Sequence, residues 1–211
     1  MPRMPRAALV FAVLLASLGA RAQVIFIQPL GPELPDADVA LVTRALTDFY
    51  GFEVRVLPRT ELPRAAWTAP RRRWRAEKLL DFLQHQVATG DRILGLTAAD
   101  ISTTKDNVQD WGVLGLGSLG GRACVISSFR VHKRVGKLQA RVRLAKVAVH
   151  EIGHTLGLEH CPHVGCLMED ARGKVATTDR EVDLCTACRA LLAARGRKLP
   201  KSPDNPWRIA P

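Results

Sequence analysis

Apolar and polar positions alternate along the chain in patterns that predict a series of strands and helices. VIFIQPLG (24–31) is a short apolar run ended by proline and glycine, which is typical of a buried strand. PDADVALVTRALTDFYG (35–51) carries apolar residues at helical spacing, with Asp36 or Asp38 as the cap and Gly51 as the end. FEVRVL (52–57) alternates apolar and charged residues, which predicts a strand with one exposed face.

The middle of the chain continues the alternation of helices and strands. A basic loop (58–75) precedes a helix whose apolar stripe consists of Leu79, Leu80, Leu83 and Val87. RILGL (92–96) predicts a strand, and the polar residues of 97–110 predict a surface loop. WGVLGLGSLGGRACVISSF (111–129) predicts two strands joined by a glycine turn. A helix from about Lys137 to Leu156 completes the order β-α-β-α-β-β-β-α, which predicts an α/β (α+β) domain on one mixed sheet.

The first 22 residues have the pattern of a secretory signal peptide. Two arginines precede the uncharged run AALVFAVLLASLGA, and the small residues Ala20 and Ala22 stand before Gln23. This run is shorter than the roughly 20 apolar residues that cross a bilayer. We therefore expect an exported protein, periplasmic or secreted. The alternatives are a cytoplasmic protein and a membrane anchor through an uncleaved N-terminus.

Length and composition are those of a single globular domain. The chain has 211 residues, of which 47% are hydrophobic and 24% charged. Removal of 1–22 would take three arginines and no acids from a formal net charge of +11. We expect one domain over 23–198, a loose tail over 199–211, a monomer, and no stable membrane anchor after cleavage.

The stretch HEIGHTLGLEHCPHVGC (150–166) carries the strongest chemical signal. His150 and His154 are four residues apart on a predicted helix, so their imidazoles rise from one face and can reach one cation. Glu151 lies at the flank of that face, within reach of a water on the metal. Gly157 lets the chain turn so that His160 returns as a third ligand. Three imidazoles with an open fourth position predict a catalytic zinc site.

Four cysteines form a second candidate site. Cys161 and Cys166 are followed by Cys185 and Cys188 of CTAC, and four thiolates in two close pairs suit tetrahedral zinc. Two disulfides are the alternative in an exported chain. Cys124 lies in an apolar strand, which indicates a buried small side chain.

These motifs closely resemble the archaemetzincins, a family of zinc metallopeptidases in the metzincin clan. The resemblance rests on HEIGHTLGLEHC, on CLM (166–168), on CTAC, and on VIFIQPLG, ILGLTAADI and VISSFR in order. It implies a compact zincin fold with a twisted sheet, an active-site helix and a C-terminal zinc subsite of four cysteines. It also implies catalytic zinc on the three histidines, a catalytic Glu151, and structural zinc on the four cysteines. Met168, the one methionine after residue 22, would be the Met-turn residue. Family members are mostly intracellular, so the export signal is a departure.

The sequence therefore predicts a peptidase with two zinc ions per chain that acts on peptides or proteins. Glu151 would act as general base towards a zinc-bound water. The strand around 123–128 is a candidate for pairing with an extended peptide at a sheet edge. Tyr50 is far from the motif in sequence and receives no role. The alternative is an exported, zinc-stabilised binding module without turnover, in which the basic run RRRWR (71–75) contacts an anionic surface; nucleic acid is not expected as a partner.

Overall fold

The computed structural model describes residues 23–201 and 207. The strands are β1 (Val24–Leu30), β2 (Glu53–Val56), β3 (Trp67–Thr68), β4 (Arg73–Arg75), β5 (Arg92–Thr97), β6 (Ile101–Lys105), β7 (Val108–Val113), β8 (Gly115–Gly117) and β9 (Ala123–Ser127). The helices are α1 (Asp36–Tyr50), α2 (Ala76–Gln84), α3 (Lys137–Thr155), α4 (Thr177–Arg180) and α5 (Thr186–Ala194), with a 3-10 helix at Arg64–Ala66.

The main sheet has the order β2-β1-β5-β9-β8 and supports the long helix α3. Its first four strands are parallel, and β8 runs antiparallel to β9 at the edge. Ile25 and Ile27 belong to the core shared with α1 and α3, whereas Ile93 and Val125 pack on the opposite face with α2. Because both faces are covered, these strands are almost continuously apolar. The predicted mixed α/β fold is confirmed.

A second sheet, in the order β3-β4-β6-β7, was missed in the sequence. The prediction of loops over 58–75 and 97–110 is wrong where β3, β4, β6 and the start of β7 form. These strands are short and polar because little of the sheet is buried. In β6, ISTTK, the first two residues are buried and the rest are not. Arg73 and Arg130 both donate to the carboxylate of Asp100, at 2.8 and 2.7 Å, and tie this sheet to the main one.

The predicted helices α1 and α3 are confirmed, but the capping of α1 is not as expected. The N-cap of α1 is Pro35 and no side chain caps the helix. Asp38 is instead buried and accepts a hydrogen bond from Arg141 of α3 at 2.9 Å. Gly51 ends α1 with φ of 69°, the left-handed conformation that glycine adopts without strain.

Two predictions concern parts of the chain that are not fully described. The signal peptide over 1–22 lies outside the described residues. Within 23–201, no helix combines the length and the apolar character needed to cross a bilayer. Of the predicted tail, residues 202–206 and 208–211 are also outside, while the Trp207 indole donates to the carbonyl of Val182 at 2.7 Å. The proposed domain limits stay predictions.

Candidate active site and cysteine cluster

The C-terminal half of α3 brings the three histidines of the motif together. The Nε2 atoms of His150 and His154 lie 3.0 Å apart. The chain turns at Gly157, where φ is 88°, and the His160 ring returns to 5.4 and 4.9 Å from the other two ring centres. The three potential ligand atoms lie within 4.8 Å of one another. Tetrahedral zinc holds its ligand nitrogens about 3.3 Å apart, so this donor set fits that metal.

Hydrogen bonds orient two of the imidazoles. The Nδ1 atoms of His150 and His154 lie 2.7 Å from the carbonyl oxygens of Leu167 and Leu158. Carbonyl oxygens only accept, so Nδ1 carries the proton and Nε2 is free to bind a metal. Burial and the neighbouring His154 lower the pKa of His150 to about 3, and burial also lowers the pKa of His154. Both rings are therefore neutral, which is the form that ligates metals.

Glu151 is buried against the edge strand β8. Burial raises the pKa of its carboxyl to about 8, and its Oε2 atom has no hydrogen-bond partner within the described residues. A Cβ at Gly115 would lie 2.6 Å from Glu151 Oε1, and one at Gly117 would lie 2.9 Å from the Cβ of His154. Only glycine lets β8 approach the carboxylate so closely. A buried acid with an unsatisfied oxygen is a feature of functional sites.

Long-range contacts hold α3 in place, and sequence reasoning missed them. The Tyr50 hydroxyl donates to the carbonyl of Val149 at 2.7 Å, from a position buried beneath the helix. At the helix C-terminus, Arg92 donates to Thr155 O at 3.0 Å and Arg195 donates to Leu156 O at 2.9 Å. Positive charge at this end also complements the helix dipole. Arg92, a charged residue in the otherwise apolar strand β5, was the one feature of the sequence that could have indicated a contact with the end of α3.

Met168 lies fully buried next to the helix that carries the histidines. A Cβ at Gly153 would be 2.6 Å from its sulfur, so the absence of a side chain at 153 makes room for this contact. The Met168 carbonyl accepts from the amide of Cys161 at 2.7 Å, which closes the segment 161–168 into a compact turn.

The four cysteines gather behind this turn. Cys161 and Cys185 have their sulfurs 3.7 Å apart, and those of Cys166 and Cys188 are 3.8 Å apart. All are free thiols, and the four sulfurs lie within 4.8 Å of one another. A disulfide requires about 2.05 Å, whereas tetrahedral zinc with Zn–S of about 2.3 Å separates its sulfurs by about 3.8 Å. The spacing fits zinc.

A cleft of about 1410 Å³ opens over the histidines and Glu151. The predicted substrate strand 123–128 is not at its edge, because β9 lies between β5 and β8. The edge strand that lines the cleft is β8, which is the neighbour of the predicted strand. The basic run 71–75, which the alternative prediction assigned to contact with an anionic surface, is not a free patch of positive charge. Arg73 contacts Asp100, and Arg75 donates to Glu77 at 3.0 Å, so both stabilise the second sheet.

Comparison with known proteins places the chain in a family. The model of peptidase family M54 matches residues 44–194. The chain belongs to this family. The archaemetzincin of Haloquadratum walsbyi is 32% identical over 174 residues, which cover 79% of this chain and 97% of the relative.

Two solved structures extend the comparison to the fold. The crystal structure of archaemetzincin from Methanopyrus kandleri has a TM-score of 0.72 at 28% identity, covering 84% of this chain and 97% of that one. The archaemetzincin structure from Archaeoglobus fulgidus, complexed with malonate, has a TM-score of 0.68 at 31% identity, covering 80% and 99%. The resemblance seen in the sequence is confirmed, and this M54 member is a zinc metallopeptidase.

Proposed function

We propose that the protein hydrolyses peptide bonds with one catalytic zinc ion held by His150, His154 and His160, and with Glu151 as general base. The observation that carries the proposal is the position of Glu151. Its buried carboxyl has one oxygen without a hydrogen-bond partner among the described residues, and it lies one residue from the first of three converging imidazoles. When bound, zinc supplies a Lewis acid that makes water a nucleophile near neutral pH and polarises the scissile carbonyl.

Glu151 moves the proton in this mechanism. Its carboxylate accepts a proton from the attacking water and passes it to the nitrogen of the leaving amine. The carboxyl must be ionised before it can accept this proton. Burial alone raises its pKa to about 8, and a cation bound nearby would lower the pKa and so favour the ionised form. The contact with Gly115 and Gly117 restricts where the carboxylate can go.

The edge strand β8 is the proposed substrate-binding strand. One side of β8 pairs with β9, and the other borders the cleft. An extended peptide can add to such an edge through main-chain hydrogen bonds, which would place its carbonyl beside Glu151.

The second zinc ion is assigned to Cys161, Cys166, Cys185 and Cys188, giving two per chain. Four protein ligands leave no open position, which is the arrangement of a structural site. Met168 is the proposed Met-turn residue. Its amide lies 3.5 Å from Cys166 Sγ, and the carbonyl of the preceding residue, Leu167, accepts the hydrogen bond of the His150 imidazole.

The test compares Glu151→Gln with the parent. Glutamine keeps the size of the side chain but cannot accept the proton, so peptide hydrolysis should fall by roughly 10² to 10⁴-fold with zinc retained. His154→Ala should instead lose one zinc ion. Glu159→Gln removes an exposed acid from the same cleft and is the matched control, with an expected rate near that of the parent.

Rates are measured on a peptide library by mass spectrometry, and metal by elemental analysis. Equal hydrolysis by Glu151→Gln and the parent at equal zinc content would contradict the mechanism. A fully metallated parent that cleaves no peptide would favour the binding module.

Export is part of the proposal and rests on the sequence of residues 1–22. Cleavage after Ala22 would leave Gln23 at the N-terminus, directly before β1. N-terminal sequencing of protein from an exporting host tests this, and a soluble form that retains Met1 would contradict it. A monomer is expected in gel filtration.

A further inference from the structure

Two of the cations that line the cleft are fully used in holding the fold. Arg130 donates twice to Asp100, at 2.7 and 2.8 Å. Arg143 is buried, donates twice to Asp179 at 2.7 and 2.6 Å, and also donates to two loop carbonyls. Neither guanidinium is free to meet a charge on a substrate.

Five other cations line the same cleft and make no ion pair within the described residues. They come from three separate segments and are all exposed: Lys105, Lys133, Arg134, Arg172 and Lys174. The three segments are the end of β6, the loop between β9 and α3, and the loop that follows Met168. Residues far apart in sequence thus place five exposed cations around one opening.

The acids of the cleft do not balance these cations. Glu169 pairs with Arg180, while Glu151 and Glu181 are buried. Glu159 and Asp170 are the remaining acids of the lining. The backbone amide of Arg172 and the charges of Lys105 and Arg172 lower the pKa of Asp170, so this carboxylate offsets part of the positive charge. Five exposed cations therefore face two accessible carboxylates, and the rim of the cleft is positively charged.

Three of the five cations lie on the two segments that contact one aromatic side chain. We call these cations and that side chain the Trp111 cluster: Lys105, Arg172, Lys174 and Trp111. The Lys105 amino group is 5.8 Å from the Trp111 ring centre. Gly173 lies against the same ring, where a Cβ would be 2.6 Å from Cζ2, and its two sequence neighbours are Arg172 and Lys174. The β6–β7 hairpin and the loop after Met168 therefore meet here, along the same cleft as the histidines.

A cleft lined by one sign of charge concentrates the electrostatic potential and attracts ligands of the other sign. We propose, on the basis of the peptidase function above, that the enzyme prefers peptides with carboxylates near the scissile bond, which the Trp111 cluster binds. These carboxylates belong to Glu or Asp side chains or to the free C-terminus of the peptide. Exposed ion pairs of this kind are screened by salt, so the preference weakens as ionic strength rises.

Matched peptides test the preference. Each pair differs only by Glu against Gln on either side of one cleavage site, and each is made with a free and with an amidated C-terminus. We expect kcat/KM about tenfold higher for the acidic member at low salt, with most of the gain in KM, and a smaller ratio in about 0.5 M salt. A value of kcat/KM that falls on amidation but is the same for Glu and Gln identifies the C-terminal carboxylate as the group bound.

Charge variants locate the effect. The combination Lys105→Gln, Arg172→Gln and Lys174→Gln should bring the ratio close to one. The control combination Arg44→Gln, Arg64→Gln and Lys78→Gln removes the same charge from exposed positions that do not line the cleft, and should leave the ratio unchanged. Equal loss in both would attribute the preference to net charge and overturn the proposal.

A binding arm keeps this test separate from the test of catalysis. Fluorescence polarisation with metallated Glu151→Gln measures affinity for the labelled acidic and neutral peptides without turnover. Tighter binding of the acidic peptide, lost in the Trp111 cluster variant, supports the inference even if the parent cleaves nothing and the proposed function fails. Equal binding of the acidic and neutral peptides, with free and with amidated C-termini alike, overturns the inference even if all are cleaved.

Discussion

The histidine cluster and the cysteine cluster share one turn of chain but are enclosed in different ways. The three histidines border an open cleft, and His160 is exposed. The four cysteines face inward, with Cys166 and Cys188 only 1% and 4% exposed. Backbone amides of His163, Met168 and Cys185 point at their sulfurs. An open site with a neighbouring acid suits chemistry, and a closed site with four ligands suits stability.

The segment 161–168 couples the two clusters. It begins and ends near the cysteine sulfurs, and the carbonyl of Leu167 within it orients His150. A substitution that disrupts the cysteine cluster should therefore also disrupt the histidine cluster. A substitution in the cleft should leave the cysteine cluster unchanged. The predictions below test this asymmetry.

Cys166→Ser should have the largest effect. Cys166 Sγ accepts from two backbone amides and lies 3.8 Å from Cys188 Sγ, so serine removes a proposed zinc ligand and loosens the turn. We expect Tm to fall by more than about 10 °C and zinc to be lost from both clusters. Calorimetry and elemental analysis measure the two. Cys124→Ala, also buried but outside the cluster, should keep both ions. Parent-like zinc content in Cys166→Ser would refute the coupling.

A chelator should empty the open cluster first. One zinc equivalent and all peptidase activity should disappear early, with little change in circular dichroism. The second equivalent should leave later, together with unfolding, because four inward-facing thiolates enclose it. Zinc content, activity and ellipticity are followed on one sample. Simultaneous loss of both ions would remove the distinction between the clusters.

Gly115→Ala should act on the cleft alone. Its Cβ would meet Glu151 Oε1 at 2.6 Å and Cγ at 2.7 Å, so the carboxylate must shift. We expect kcat to fall roughly 10 to 100-fold with both zinc ions retained. Gly136→Ala is the control, because nothing lies within 4 Å of its Cβ and its φ of −74° suits alanine. In the double variant of Gly115→Ala with Glu151→Asp, which shortens the acidic side chain, the losses in kcat from the two substitutions should not add.

Glu181→Gln should change how stability depends on pH. Burial raises the pKa of Glu181 to about 8, so the folded protein keeps a proton that the unfolded chain releases. The contribution of Glu181 to stability therefore falls as pH rises from about 4.5 to 8. The difference in Tm between Glu181→Gln and the parent should therefore change by a few degrees in favour of the variant as pH rises from about 5 to 8. Glu169→Gln should show the opposite sign and at lower pH: Arg180 lowers the pKa of Glu169, so the stability that Glu169 contributes is lost only as pH falls below about 4.5. A constant difference would contradict this account of Glu181.

Tyr50→Phe should have the smallest effect. It removes one buried hydrogen bond, to the carbonyl of Val149, and leaves the ring packing intact. We expect a loss of about 1 kcal/mol and a Tm lower by about 3 °C, with activity within about twofold of the parent. Thermal unfolding and peptidase assays test this. A large loss of activity at unchanged Tm would give Tyr50 a direct role that its burial argues against.

The sequence alone determined the features that depend on short separations. Histidines at i and i+4 on one helix must share a face, and a glycine at 157 allows the return of His160. The paired cysteines limited the second cluster to zinc or disulfides, and apolar runs located the strands of the main sheet, whose two covered faces require such runs. These signals were enough to recognise the peptidase.

Only the tertiary structure decided the features that join distant residues. The polar strands β6 and β7 have no apolar pattern, because their sheet is barely buried. The edge position of β8 depends on strand order, which local periodicity does not contain. Gly115 could not be told from a turn glycine until it lay against Glu151. Spacing along the chain also left both zinc and disulfides open for the four paired cysteines. The sulfur separations favour zinc, because the distance between side chains is a property of the packed chain.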